Sequence, residues 1–264
     1  MYSSASSGMN AAMTQVNVVS HNIANQQSPG FKEASPIFSD LIYMNDQRVG
    51  GPLSSNSDGL QPIGIQIGTG VRTSAVVRDF RQGETVYTGS DLNIAVIGDG
   101  FLQVTLPDGS IAYTRDGNLQ IDPVTSQLVT NSGYIVQPGI VIPQNYKKII
   151  IKRDGTVLAE ISNEVAPQQL GKLQLTRFIN NNGLYARGDN LYIETDAAVP
   201  IDGNPDEDSF GYILQGSTEG SNINSINQVI KLVNGRQWYE FNAQAFKVLS
   251  EIIGITVKMA GGGV

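Results

Sequence analysis

Residues 5–32 read "ASSGMNAAMTQVNVVSHNIANQQSPGFK", and no Asp, Glu, Lys or Arg stands anywhere in the chain before Lys32. Ala5, Met9, Ala12, Val16, Val19 and Ile23 recur at intervals of three and four. That period predicts one apolar stripe on a helix. The positions between them carry Ser, Asn, Thr and Gln rather than the usual Lys and Glu. Pro29 and Gly30 punctuate the chain, so the helix should end between Asn25 and Gly30. Asn22 and Asn25 are placed to satisfy backbone groups at that end.

The other end of the chain mirrors this one. Ile223, Ile226, Ile230 and Val233 form a stripe, and Trp238, Phe241, Ala245, Val248, Ile252 and Ile255 continue it after a slip of one residue. Three-four spacing over this length predicts a long helix with a coiled-coil seam. Gly235 inside it costs about 1 kcal/mol relative to Ala, which points to a bend or to close packing there. Neither terminal helix has a partner next to it in sequence. The economical arrangement is that they pair with each other and leave apolar surface for further copies of the chain.

The middle reads as β structure. "NIAVIGDGFLQVTL", "SIAYTRDGNLQI", "QLVTNSGYIVQP", "KKIIIKRDGTVLAEI" and "GKLQLTRFI" are short β-branched and aromatic runs. Asp99-Gly100, Asp108-Gly109, Asp116-Gly117, Ser132-Gly133 and Asp154-Gly155 punctuate them and predict tight hairpin turns with positive φ. Residues 44–70 are rich in Gly, Ser, Asn and Pro and predict a long loop, of a length that is uncommon unless functional or disordered. Residues 202–211, "DGNPDEDSFG", predict an exposed acidic loop. The fold class is therefore α+β. A discontinuous coiled-coil domain (1–32 with 217–264) is joined by an extended segment (33–72) to a mostly antiparallel β domain (73–216).

Composition excludes several chemistries. The 264 residues carry a formal charge of −7, and only 16% are charged, against about 25% in an ordinary domain. No basic run could follow a phosphate backbone, so nucleic acid is not an expected partner. There is no cysteine, hence no disulfide or thiolate site. His21 is the single histidine. It would have to serve any Ser-His-Asp triad, yet no acid lies near it in sequence, and it reads as a packing residue. The alternating acids from Asp202 imitate a calcium loop, but Glu207 and Ile213 stand where Gly and Glu are required. "IGTGVRT" and "IGDGFLQ" lack the third glycine of a dinucleotide fingerprint. No enzyme, metal or cofactor is expected. No stretch reaches the ~20 apolar residues of a membrane span, so no direct membrane insertion is expected. The N-terminus lacks the basic and apolar regions of a cleaved signal peptide.

Three segments carry a family resemblance. The run Ser7–Lys32 resembles the N-terminal motif of flagellar rod and hook proteins, A-N-x-x-T-x-G-[FY]-K, matched at Ala24, Asn25, Gly30, Phe31 and Lys32 with Ser28 in place of Thr. "DLNIAVIGDGFLQVTLPDGSIAYTRDGNLQID" (91–122) resembles the family's central β signature. "SNINSINQVIKLVNGRQWYEFNAQAFKVLSEII" resembles its C-terminal helix, with Arg236-Gln237-Trp238-Tyr239-Glu240 where the family usually has Q-R-A-Y-E. "FSDLIY" followed by the Gly/Ser loop and "GIQIGTGVR" is similar to distal-rod members.

The resemblance implies an axial subunit of the flagellar basal body that crosses the periplasm, exported by the flagellar apparatus without signal cleavage. Its copies would form a helical tube that transmits torque to the hook and encloses the export channel. The implied partners are copies of itself, other axial rod and hook proteins, the P-ring and L-ring proteins, and the export apparatus. The expected seam between subunits comprises Met9, Val16, Val19, Ile23, Ile226, Ile230, Val233, Trp238, Phe241, Val248 and Ile252, with the 44–70 segment bridging neighbours and the β domain outermost. Alternatives are a proximal-rod or hook-type subunit, a non-flagellar β-domain binding module such as an adhesin, and a wall hydrolase.

Overall fold

The computed structural model describes residues 2–47, 64–162, 166–207 and 209–261. Two helices flank a chain of short strands, as the α+β expectation requires. Helix α1 spans Tyr2–Ala24 and helix α2 spans Ser225–Gly261. At 1.5 Å per residue they are about 35 and about 55 Å long. The Asn224 side chain starts α2 by accepting the Asn227 N–H at 3.1 Å, which satisfies one of the free donors of the first turn.

The chain forms two compact units. The first holds residues 1–23, 34–77 and 224–264; the second holds 24–33 and 78–223. In the first unit, β1 (Ala34–Asp40), β2 (Tyr43–Gln47), β3 (Ile65–Gly68) and β4 (Val71–Arg78) accompany the helices. β1 pairs with β4, and β2 pairs antiparallel with β3, Tyr43 opposite Gly68. The two ends of the 44–70 segment are thus a ladder rather than a loop. Its middle, 48–63, lies outside the described residues.

In the second unit, strand Phe101–Thr105 is the centre. It pairs antiparallel with Ile111–Thr114 along one edge (Leu102 opposite Thr114). Along the other edge it pairs with Leu175–Phe178 and with Ile135–Val136. Leu102 and Val104 point into the main core with Ile94, Leu128 and Ile149. Phe101 points the other way, into a cluster with Tyr113, Phe178 and Tyr192. Their rings meet edge to face, the closest being Tyr113 and Phe178 at 4.8 Å and 87°. Both faces of this strand are buried, which is why its sequence runs apolar without clean alternation.

Three of the five expected hairpins form. Gly109, Gly133 and Gly155 take positive φ (82°, 83° and 81°) in the turns between paired strands. Only the glycine of each pair does so; the preceding Asp108 or Asp154 instead accepts a backbone N–H two residues on, from Ser110 (2.9 Å) or Thr156 (3.1 Å). Asp116-Gly117 and Asp99-Gly100 do not make hairpins. Asp116 forms the same local turn, accepting the Asn118 N–H at 3.0 Å. The strand after Asp116-Gly117, Leu119–Ile121, pairs with Leu128–Thr130, and the strand before Asp99-Gly100, Ile94–Ile97, pairs with Tyr212–Gln215. The turn chemistry is local, whereas strand pairing is decided by the core.

The 202–211 segment also departs from a solvated acidic loop. Asp202 lies in a strand, Pro200–Gly203, paired with Leu175–Phe178. Its carboxylate accepts bonds from Gln103 (2.7 Å) and Thr176 (2.6 Å). Asp208 lies outside the described residues.

Candidate assembly surface

The two helices of the first unit run antiparallel in one register. Gly8 faces Asn242, Gly235 faces Gln15 and Val16, and Asn22 bonds Gln228. Steps of seven up α1 are met by steps of seven down α2, the repeat of a coiled coil. The seam itself is small and polar. Ala5, Ala12, Val19 and Asn22 are buried on α1, and Gln228 on α2. A β-carbon at Gly235 would stand 3.1 Å from Val16 Cγ2, so the glycine serves close packing and α2 runs through it as one helix. Asn22 is the polar centre of the seam. Its Nδ2 donates to Ala34 O (2.7 Å) and Gln228 Oε1 (3.2 Å), and its Oδ1 accepts the Ala34 N–H (3.0 Å).

The apolar residues expected at the helix and inter-subunit seam divide between two environments in the single chain. Val19 is 1% exposed, while Met9, Val16, Ile23 and Trp238 are partly buried beside the seam. Ile226, Ile230, Val233, Phe241, Val248 and Ile252 are exposed by 73%, 53%, 47%, 66%, 54% and 53%. At 100° per residue these six lie on the side of α2 opposite Gln228, Gly235 and Asn242. So α2 has two working faces: one closes on α1, and the other is an apolar stripe in water. Sequence reasoning missed Gly8 and Gln228 because it tracked apolar residues; it placed Asn22 on backbone groups, which it bonds at Ala34, but not on Gln228. The recurrence of Gly8, Gln15 and Asn22 every seven residues was the available signal.

The motif residues lie in the second unit. Ala24 is exposed and Asn25 partly buried, and the Ser28 N–H bonds Asn25 O at 3.1 Å. Gly30 takes φ +69° and donates its N–H to Glu219 O at 2.8 Å. Phe31 is 4% exposed and Lys32 fully buried. Lys32 Nζ lies 2.5 Å from Glu219 Oε1 and donates to Arg81 O at 2.9 Å. Glu219 also accepts the Gly83 N–H (2.9 Å), and Arg115 reaches its Oε2 at 3.4 Å. Burial pushes the Lys32 ammonium below its ordinary value; Glu219 opposes that shift and Arg115 adds to it. Nothing local to Lys32 in the sequence marks Glu219 or Arg115 as its partners.

His21 is exposed on α1. Among the described residues no cluster of His, Asp and Glu could hold a metal ion, and no helix is long and apolar enough to cross a membrane.

Comparison with known proteins places these features. Residues 3–32 match the family described as "Flagella basal body rod protein", and residues 95–159 match "Flagellar hook protein FlgE/F/G D1 domain". The chain is 39% identical over 256 residues to the flagellar basal-body rod protein FlgG of Caulobacter vibrioides, covering 97% of each chain. It is 39% identical over 247 residues to that of Buchnera aphidicola subsp. Schizaphis graminum, covering 93% of this chain and 94% of the relative. It is 38% identical over 255 residues to that of Agrobacterium fabrum, covering 96% and 97%. With its N-terminal motif, its central strands and nearly its whole length matched, the chain belongs to the FlgG family of flagellar basal-body rod proteins.

Proposed function

We propose that this chain is a structural subunit of the flagellar rod, in which copies polymerise into a helical tube that carries torque to the hook and encloses the export channel. The observation that carries this reading is the exposed stripe Ile226, Ile230, Val233, Phe241, Val248 and Ile252, on the side of α2 turned away from α1. An apolar stripe of this length marks a surface that meets another protein. A head-to-tail contact that does not close generates a filament. The absence of charged side chains from α1 suits repeated contact, because like charges stacked between copies would be costly.

On this reading the chain works in the basal body with other rod and hook proteins, inside the P and L rings. It arrives through the flagellar export apparatus without loss of a signal peptide. The reading assigns it no catalytic step, and a His21→Ala strain is expected to swim normally.

The test replaces the chromosomal copy with an Ile230→Asp, Phe241→Asp variant. Both positions are exposed, so the purified protein should keep the wild-type circular dichroism. Its cells should build no rod beyond the point where this subunit adds. Intact basal bodies and normal swimming with that variant would reject the reading.

A further inference from the structure

The helix pair has two flanks, and its own chain covers one of them. Phe38 of β1 sets its ring edge-on against Trp238, centroids 5.3 Å apart. Counted at 100° per residue, Trp238 and Tyr239 fall on opposite sides of the line through Gln228. On the Tyr239 side a groove of about 620 Å³ opens, lined by Met13, Val16 and Asn17 of α1 and by Leu232, Val233, Arg236 and Tyr239 of α2.

The same chain carries apolar surface that stays exposed among the described residues. Because Gly8 faces Asn242 and α1 begins at Tyr2, α2 beyond about Leu249 runs past the end of its partner. In that overhang Ile252, Ile253, Ile255 and Val257 are 53%, 44%, 58% and 63% exposed. Glu251 and Lys258 of the overhang, with Lys247 just before it, gather on one narrow stripe at helical spacing. The rest of its circumference is free to be buried while these charges stay in water.

Groove and overhang cannot meet within one molecule. Both belong to one unbroken helix, and twenty residues from Leu232 to Ile252 span about 30 Å of its axis. They match in length: Leu232–Tyr239 and Ile252–Met259 are each about two turns. We propose that the groove of one copy receives the overhanging end of α2 of the next copy. The contact joins two different surfaces, so it does not close, and each copy is stepped about 30 Å along α2 from the last. This inference rests on the rod reading above and names the partner of one of its surfaces.

The absence of cysteine makes the contact directly readable. Full-length chains carrying Val16→Cys together with Ile252→Cys, Ile253→Cys, Ile255→Cys or Val257→Cys are expressed as the only copy, oxidised, and recovered in basal bodies. A disulfide needs Cα atoms within about 7 Å. At least one pair should give a ladder of three or more linked copies, whereas each single variant can give at most a dimer. If Val16→Cys strains build no rods, Met13→Cys, at a half-exposed position, replaces it. Rods that assemble with no ladder from any pair, or with a ladder only from a Val16→Cys, Ile226→Cys control, overturn the proposal and leave the rod reading standing. Absence of the wild-type chain from basal bodies overturns both.

Discussion

Lys32 and Glu219, 187 residues apart in sequence, form an ion pair at 2.5 Å with both side chains wholly out of solvent. Lys32 closes the family motif that leads out of α1, and Glu219 sits five residues before Asn224, which caps α2. One buried pair therefore ties together the segment entering the β-rich unit and the segment leaving it. Removing one member should be more damaging than the presence of the pair is stabilising, because an uncompensated charge stays behind. Glu219→Gln leaves Lys32 and Arg115 without their acid and should cost about 3–5 kcal/mol. Lys32→Met should cost less, because Glu219 keeps Arg115 and the Gly83 N–H, and Asn222 still donates to Arg81 O. Urea unfolding of the full chain measures both; equal costs would refute this ordering.

The helical glycines should respond to alanine in opposite directions. In an open helix Gly→Ala gains about 1 kcal/mol. At Gly254 nothing lies within 4 Å of an added β-carbon, so Gly254→Ala should raise helicity and stability. At Gly8 the added atom would displace the Asn242 carboxamide from its 2.8 Å bond to Trp238 O, and at Gly235 it would press on Val16. Gly8→Ala should loosen the helix pair despite its better propensity. Helicity by circular dichroism and protease resistance of the ends report the difference.

Gly30→Ala tests the turn of the motif. The position has φ +69°, which disfavours an L side chain by about 1–2 kcal/mol. An added β-carbon would also lie 2.7 Å from the Arg115 backbone carbonyl carbon, which cannot move aside cheaply. The loss should exceed the backbone term alone. Ser28→Thr, which restores the family's usual residue, should be nearly neutral in the same melting experiment.

Asp116 gives a pH signature. Burial raises its carboxyl above the ordinary value, partly offset by the Asn118 N–H. Below the unfolded value the carboxyl is protonated in both states and carries no penalty. As pH rises from there through the folded value, the folded state must ionise a buried group and loses stability. Asp116→Asn keeps an oxygen for the Asn118 N–H and removes the ionisation. It should be more stable than the native chain at pH 7 and no more stable at pH 3. Asp79, held below its ordinary value chiefly by its hydrogen bond from Arg81, has the opposite sign. Its contribution is present above the unfolded value and lost as pH falls through the folded one. Thermal melts at the two pH values separate these effects.

What the sequence determined was local. The three-four spacing marked both helices, Pro29-Gly30 marked the end of the first, and Gly after Asp or Ser marked the turns, since each depends only on neighbouring residues. Tertiary structure decided which face of each helix does what. The heptad through Gly8, Gln15 and Asn22 became the inner seam because two glycines let the helices approach and Asn22 found three partners there. The larger apolar residues of α2, Ile226 to Ile252, were left on the outside. Apolar spacing says that a surface will be buried, but not by what. Within one chain the helix pair buries the small residues that let it close, and the large ones remain exposed. The same holds for Lys32: a sequence shows a lysine, and only the fold brings Glu219 and Arg115 from far along the chain to make its burial tolerable.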